Sequence, residues 1–101
     1  MNTMFENTNN LYAARRTTKP VNFYFAVSSA QSVYLVGDFN GWDLTSHPMH
    51  RADGWWFIEV QLRHGYHRYR FLVDGKPVLD PQSTGTAHDE QNEQVSLLAV
   101  S

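Results

Sequence analysis

The sequence predicts an all-β fold, two antiparallel sheets packed as a sandwich, and three observations carry that prediction. Between Val21 and Val100 apolar residues recur at every second position, and turn-forming residues punctuate those runs. No stretch in that region holds a helical period over ten residues.

The first strand is Val21, Phe23, Phe25 and Val27 alternating with Asn22, Tyr24 and Ala26, which buries one face and wets the other. Ser28, Ser29 and Ala30 form the turn out of it. The second strand, Val33 to Val36, is short and wholly apolar. Gly37 to Trp42, GDFNGW, is turn chemistry throughout, with two aromatics inserted. Phe39 and Trp42 stand three apart in that turn and can point opposite ways, one into the core and one out. His47 to Arg51 is a short strand at a sheet edge, where Pro48 loses no ladder bond.

In the next strand Trp56, Ile58, Val60 and Leu62 face the core, and Trp55, Phe57, Glu59 and Gln61 face out. His64-Gly65 leads to another, with Tyr69, Phe71 and Val73 inward and Arg70 outward. Asp74-Gly75 is a hairpin turn, since Gly tolerates the positive φ that two-residue turns require, and it returns the chain through Lys76 to Leu79. Asp80 to Gln94 is polar, carries Pro81 and Gly85, has no periodicity, and reads as a long surface loop. Val95 to Val100 is the last strand. Residues 1–18 read as a flexible, Asn-rich N-terminal tail, with one or two helical turns over Asn10 to Arg16, and residues 19–101 as the sandwich.

Composition narrows the function. With 101 residues, the chain is a single domain that buries roughly two thirds of its unfolded surface. The absence of cysteine excludes a disulfide scaffold and a Cys-ligated metal site. The net charge is −2 and the only lysines are Lys19 and Lys76, which disfavours a polybasic surface for duplex DNA or anionic lipid. No apolar run matches a signal peptide or membrane span, so the cytoplasm is the expected compartment. Aromatics make up 14% of residues, more than a core of this size needs, so some are expected at a binding surface.

Val33-Tyr34-Leu35-Val36-Gly37-Asp38-Phe39-Asn40-Gly41-Trp42, then Gly54-x-Trp56, Gly65-x-x-x-Tyr69-Arg70-Phe71-x-Val73-Asp74-Gly75 and Asp80-Pro81 resemble carbohydrate-binding module family 48. These are the glycogen-binding modules of the AMP-activated protein kinase β subunit and of the N-terminal domains of glycogen branching and debranching enzymes. The resemblance runs from about Val21 to Val100. It implies an immunoglobulin-like, early-set sandwich without catalytic activity or cofactor that docks onto α-1,4-glucan or maltooligosaccharides. It also implies a glycogen-metabolism enzyme or a kinase as partner. The family's first stacking tryptophan falls on Trp42 and its basic hydrogen-bonding residue on Arg70. Pro77 stands where the family has a second tryptophan, and Asn92 is the nearby residue able to supply the amide of its glucan-clasping loop.

The chemistry agrees with those positions. A pyranose offers a face of C–H bonds, on which an exposed indole stacks, and a rim of hydroxyls, which Arg or Asn can bind. Trp55, outward beside Phe57, is a substitute stacking platform. The carbohydrate-binding candidates are therefore Trp42, Arg70, Trp55 and Asn92. The alternative is a protein-interaction or regulatory sandwich that has lost the sugar and uses Trp42, Trp55 and Phe57 against a partner or, as a homodimer, a second copy. Arg63, Arg68 and Arg70 with Tyr66 form a small basic-aromatic strip, but the net acidity weighs against single-stranded nucleic acid. His64 and His67 fall on opposite strand faces and make no metal site. The acids lie scattered in turns, which argues against catalysis.

Overall fold

A computed structural model describes residues 17–26 and 29–101. The helical turns expected over 10–16, most of the tail, Val27 and Ser28 lie outside the described residues.

Among the described residues eight strands follow in order: β1 Thr18–Phe25, β2 Val33–Gly37, β3 His50–Ala52, β4 Trp55–Arg63, β5 Gly65–Val73, β6 Lys76–Val78, β7 Gly85–His88 and β8 Gln94–Val100. They form an antiparallel three-stranded sheet, ordered β1-β4-β3, and a five-stranded sheet, ordered β2-β5-β8-β7. β6 pairs with the far half of β5 while β8 pairs with its near half. The chain changes sheets at His64, between β4 and β5.

Strand parity fills the space between the sheets. Phe23, Phe25, Leu35, Trp56, Leu62, Tyr69 and Phe71 are buried in one cluster, with Phe39, Ile58, Val60 and Val73 packed against it. The Phe25 and Phe71 ring centroids lie 4.9 Å apart, and Phe23 meets Tyr69 edge-on at the same distance. Such contacts hold the sheets in fixed register.

Two expectations need correction. Asp80 to Gln94 is not one long loop, because β7 forms within it and pairs Gly85–His88 with Leu97–Gln94. The Ser83 hydroxyl supports that strand by sharing its one proton between the Gly85 and Leu97 carbonyls, a side-chain staple invisible to hydrophobic period. The His47–Arg51 strand is divided. Pro48 bridges to Tyr34 of β2, and pairing then moves to β4 over His50–Ala52. Asp53-Gly54 makes the β3–β4 turn with both φ values positive, as Asp74-Gly75 makes the β5–β6 turn.

Parity alone does not account for Val36 and Val95. They flank Arg70 on the outer face of the five-stranded sheet, yet both are buried and stand outside the main core cluster. Something covers that face.

Candidate functional site

The cover begins at Gly37. A Cβ there would lie 2.8 Å from the Arg68 carbonyl oxygen and 2.5 Å from the Phe39 ring, so only glycine lets the chain pass this close to β5. One turn of 3-10 helix follows, Asp38–Asn40. The Asn40 side chain ties it down: its Oδ1 accepts from Gly37 N and its Nδ2 donates to the Leu35 carbonyl, each at 3.1 Å. Asp38 Oδ2 accepts from Arg68 N at 2.9 Å, and Oδ1 lies 3.4 Å from His67 Nδ1. Phe39 turns inward to Phe23.

Gly41 and Trp42 then both take positive φ, 65° and 59°. A left-handed tryptophan is uncommon and costs on the order of 1–3 kcal/mol, which the surrounding structure must impose. Trp42 N donates to the Gly37 carbonyl at 2.9 Å and closes the loop. The indole is carried to Arg70, whose Cζ lies 5.7 Å from the ring centroid in a cation–π contact.

The other wall is the β7–β8 connection. Arg68 Nη1 donates to the His88 carbonyl at 3.0 Å, and Arg70 Nη1 lies 3.5 Å from Asp89 Oδ2. Trp42, Arg70, Asp89, Glu90 and Gln91 enclose a cleft of about 160 Å³. On the inner side of β5, Tyr69 OH donates to Asp80 Oδ2, in the β6–β7 connection, at 2.6 Å. Burial first, and then Asp80, push the Tyr69 phenol well above its ordinary value.

Of the four candidates, Trp42 and Arg70 are brought together. Asn92 belongs to the loop beside them at φ 62°, donates its N–H to the Asp89 carbonyl, and does not line the cleft. Trp55 lies on the outer face of the three-stranded sheet, in a groove of about 460 Å³ with Tyr24, Ala52, Asp53, Phe57 and Gln82. The basic strip does not assemble. Arg63 is on β4 in the other sheet, while Arg68 and Arg70 are turned to the β7–β8 connection. Among the described residues no three His, Asp or Glu side chains gather as for a metal, and no helix is long and apolar enough to cross a membrane. Asp89, Glu90 and Gln91 are the residues that sequence reasoning missed. No local signal marked them, because they meet Arg70 only through sheet pairing.

Residues 19–101 match the family described as the glycogen recognition site of AMP-activated protein kinase. The chain belongs to that family. The 1,4-alpha-glucan branching enzyme GlgB 2 of Xanthomonas oryzae pv. oryzae is 39% identical over 72 residues, 65% of this chain and 10% of the enzyme. The 1,4-alpha-glucan-branching enzyme of Dictyostelium discoideum is 51% identical over 45 residues, 44% of this chain and 7% of the enzyme. The 5'-AMP-activated protein kinase subunit beta-1 of Sus scrofa is 39% identical over 51 residues, half of this chain and 40% of that subunit. This glycogen recognition domain thus spans a tenth or less of the branching enzymes it matches. Its fold is shared with a maltogenic amylase from S. marinus, at a TM-score of 0.68 and 20% identity over 81% of this chain and 13% of that one.

Proposed function

We propose that this glycogen recognition domain is a non-catalytic module that binds α-glucan weakly in the cleft between Trp42 and Arg70. The observation that carries this reading is the left-handed Trp42, held beside a guanidinium on an otherwise closed sheet face. The indole beside Arg70 gives a pyranose an apolar stacking surface, and the sugar's hydroxyl rim meets Arg70, Glu90 and Gln91 in the same cleft. Likeness to branching enzymes and a kinase subunit supports a module that brings an α-glucan-acting enzyme or a kinase to its polymer.

Native gels cast with and without glycogen test the site. Glycogen retards the wild type, and it retards Trp42→Ala and Arg70→Met markedly less. Unchanged wild-type mobility, or equal retardation of the variants, defeats the reading.

One observation favours a second reading, a protein-contact surface. Tyr24, Trp55 and Phe57, exposed by 46, 40 and 36%, gather in one groove on the opposite sheet. Light scattering of wild type and Trp55→Ala/Phe57→Ala reports self-association there. A monomer at high concentration removes the homodimer.

A further inference from the structure

The cleft contains a buried carboxylate for which sugar stacking alone has no use. The Asp89 side chain is 6% exposed against 22% for Arg70, so the acid lies deeper than the base it faces. A carboxylate taken from water is tolerated only when its oxygens are satisfied. Here the two oxygens act separately. Oδ1 accepts from Gln91 N at 2.9 Å and from Glu93 N at 2.8 Å, and Oδ2 faces Arg70 Nη1 at 3.5 Å. Backbone hydrogen bonds reinforce the turn around Oδ1, since Asp89 N donates to the Glu93 carbonyl and Asn92 N to the Asp89 carbonyl. Residues 89–93 are thus wound around one carboxylate, and its remaining oxygen is presented to the guanidinium.

That arrangement limits where Arg70 can go. A long, solvent-facing arginine ordinarily samples many rotamers, and a ligand that fixes one loses affinity to the ordering. With Asp89 on one side and the Trp42 ring on the other, Arg70 is held before any ligand arrives. Charge is limited as well. Two carboxylates, Asp89 and Glu90, line the cleft with a single guanidinium, so its field does not favour an anion.

Resting on the Trp42–Arg70 reading of the site, we infer that Asp89 is its positioning and specificity-determining residue: it preorients Arg70 against Trp42 and restricts the cleft to uncharged glucan. Asp89 acts through Arg70 and not as a sugar ligand. An oligosaccharide of the same length bearing a phosphate ester is therefore disfavoured, although the cleft contains an arginine.

Asp89→Asn separates the loop-building oxygen from the charge. The amide oxygen still accepts from Gln91 N and Glu93 N, so the loop keeps its fold, while the charge facing Arg70 is lost. Calorimetric titration with maltoheptaose is run on wild type, Trp42→Ala, Arg70→Met, Asp89→Asn and the Arg70→Met/Asp89→Asn double variant. The expected result is that Asp89→Asn weakens binding about tenfold. In the Arg70→Met background it weakens binding no further, a non-additivity that loop damage alone does not produce. With phosphorylated maltoheptaose the preference reverses, and Asp89→Asn binds more tightly than wild type.

Wild-type affinity in Asp89→Asn, or an equal loss in both backgrounds, overturns the inference and leaves the site reading intact. Wild-type phosphate discrimination in Asp89→Asn overturns the specificity half. If Trp42→Ala and Arg70→Met bind maltoheptaose as wild type does, the site reading itself fails.

Discussion

The two outer faces of the sandwich both display tryptophan, and they are built differently. On the five-stranded sheet Trp42 is fixed by a strained backbone, faced by Arg70 and walled by the polar loop beginning at Asp89. On the three-stranded sheet Trp55 stands beside Tyr24 and Phe57 in a wide groove whose only charged lining residue, among the described residues, is Asp53. A sugar needs a stacking face and fixed partners for its hydroxyls, and the first face supplies both. The second supplies apolar area with little to orient a polar ligand. An outward aromatic thus becomes a candidate sugar site only when polar groups are fixed around it.

Four experiments separate the faces, beginning with the largest effect. Gly37→Ala forces its Cβ onto the Phe39 ring and the Arg68 carbonyl. Chemical denaturation should show a loss of roughly 1–3 kcal/mol. Because Trp42 N is bonded to the Gly37 carbonyl, glycogen retardation should fall as well, while self-association through the Trp55 groove, if measured, stays unchanged.

Trp42→Ala comes next. An indole face covering about 80 Å² at about 25 cal/mol/Å² is worth about 2 kcal/mol, or roughly 30-fold in affinity. Titration with maltoheptaose checks it, and thermal stability should barely move.

Tyr69→Phe removes the donor to Asp80 in the β6–β7 connection and should cost about 1 kcal/mol. The phenol's pKa is raised in the folded state, so its stabilising contribution is complete below the unfolded value of about 10 and fades as pH rises above it. Denaturation midpoints across that range should fall for wild type and flatten for Tyr69→Phe. Trp55→Ala is the smallest, changing glycogen retardation by less than about twofold if the faces are as distinct as their linings.

The sequence showed one face more clearly than the other. Parity placed Phe23, Phe25, Trp56, Tyr69 and Phe71 in the core because alternation along a strand is local. It also turned Arg70 and Trp55 outward, as the structure has them. β7 was hidden because Gly85–His88 has no apolar alternation and depends on the Ser83 staple. Asp89 was hidden for a related reason. It is 19 residues from Arg70 in the chain, and only the passage of β8 beside β5 brings them together. Burial of the outward Val36 and Val95 was equally illegible, since the Trp42 loop and the Asp89 loop arrive from separate parts of the chain.

The three tryptophans report on three places: Trp42 on the proposed site, Trp55 on the opposite face and Trp56 in the core. Titrating isotope-labelled protein with maltoheptaose while following the three indole N–H resonances therefore tests the central claim directly. The Trp42 resonance should move and saturate while those of Trp55 and Trp56 stay in place. Movement of Trp55 alone, or of none of the three, would contradict it.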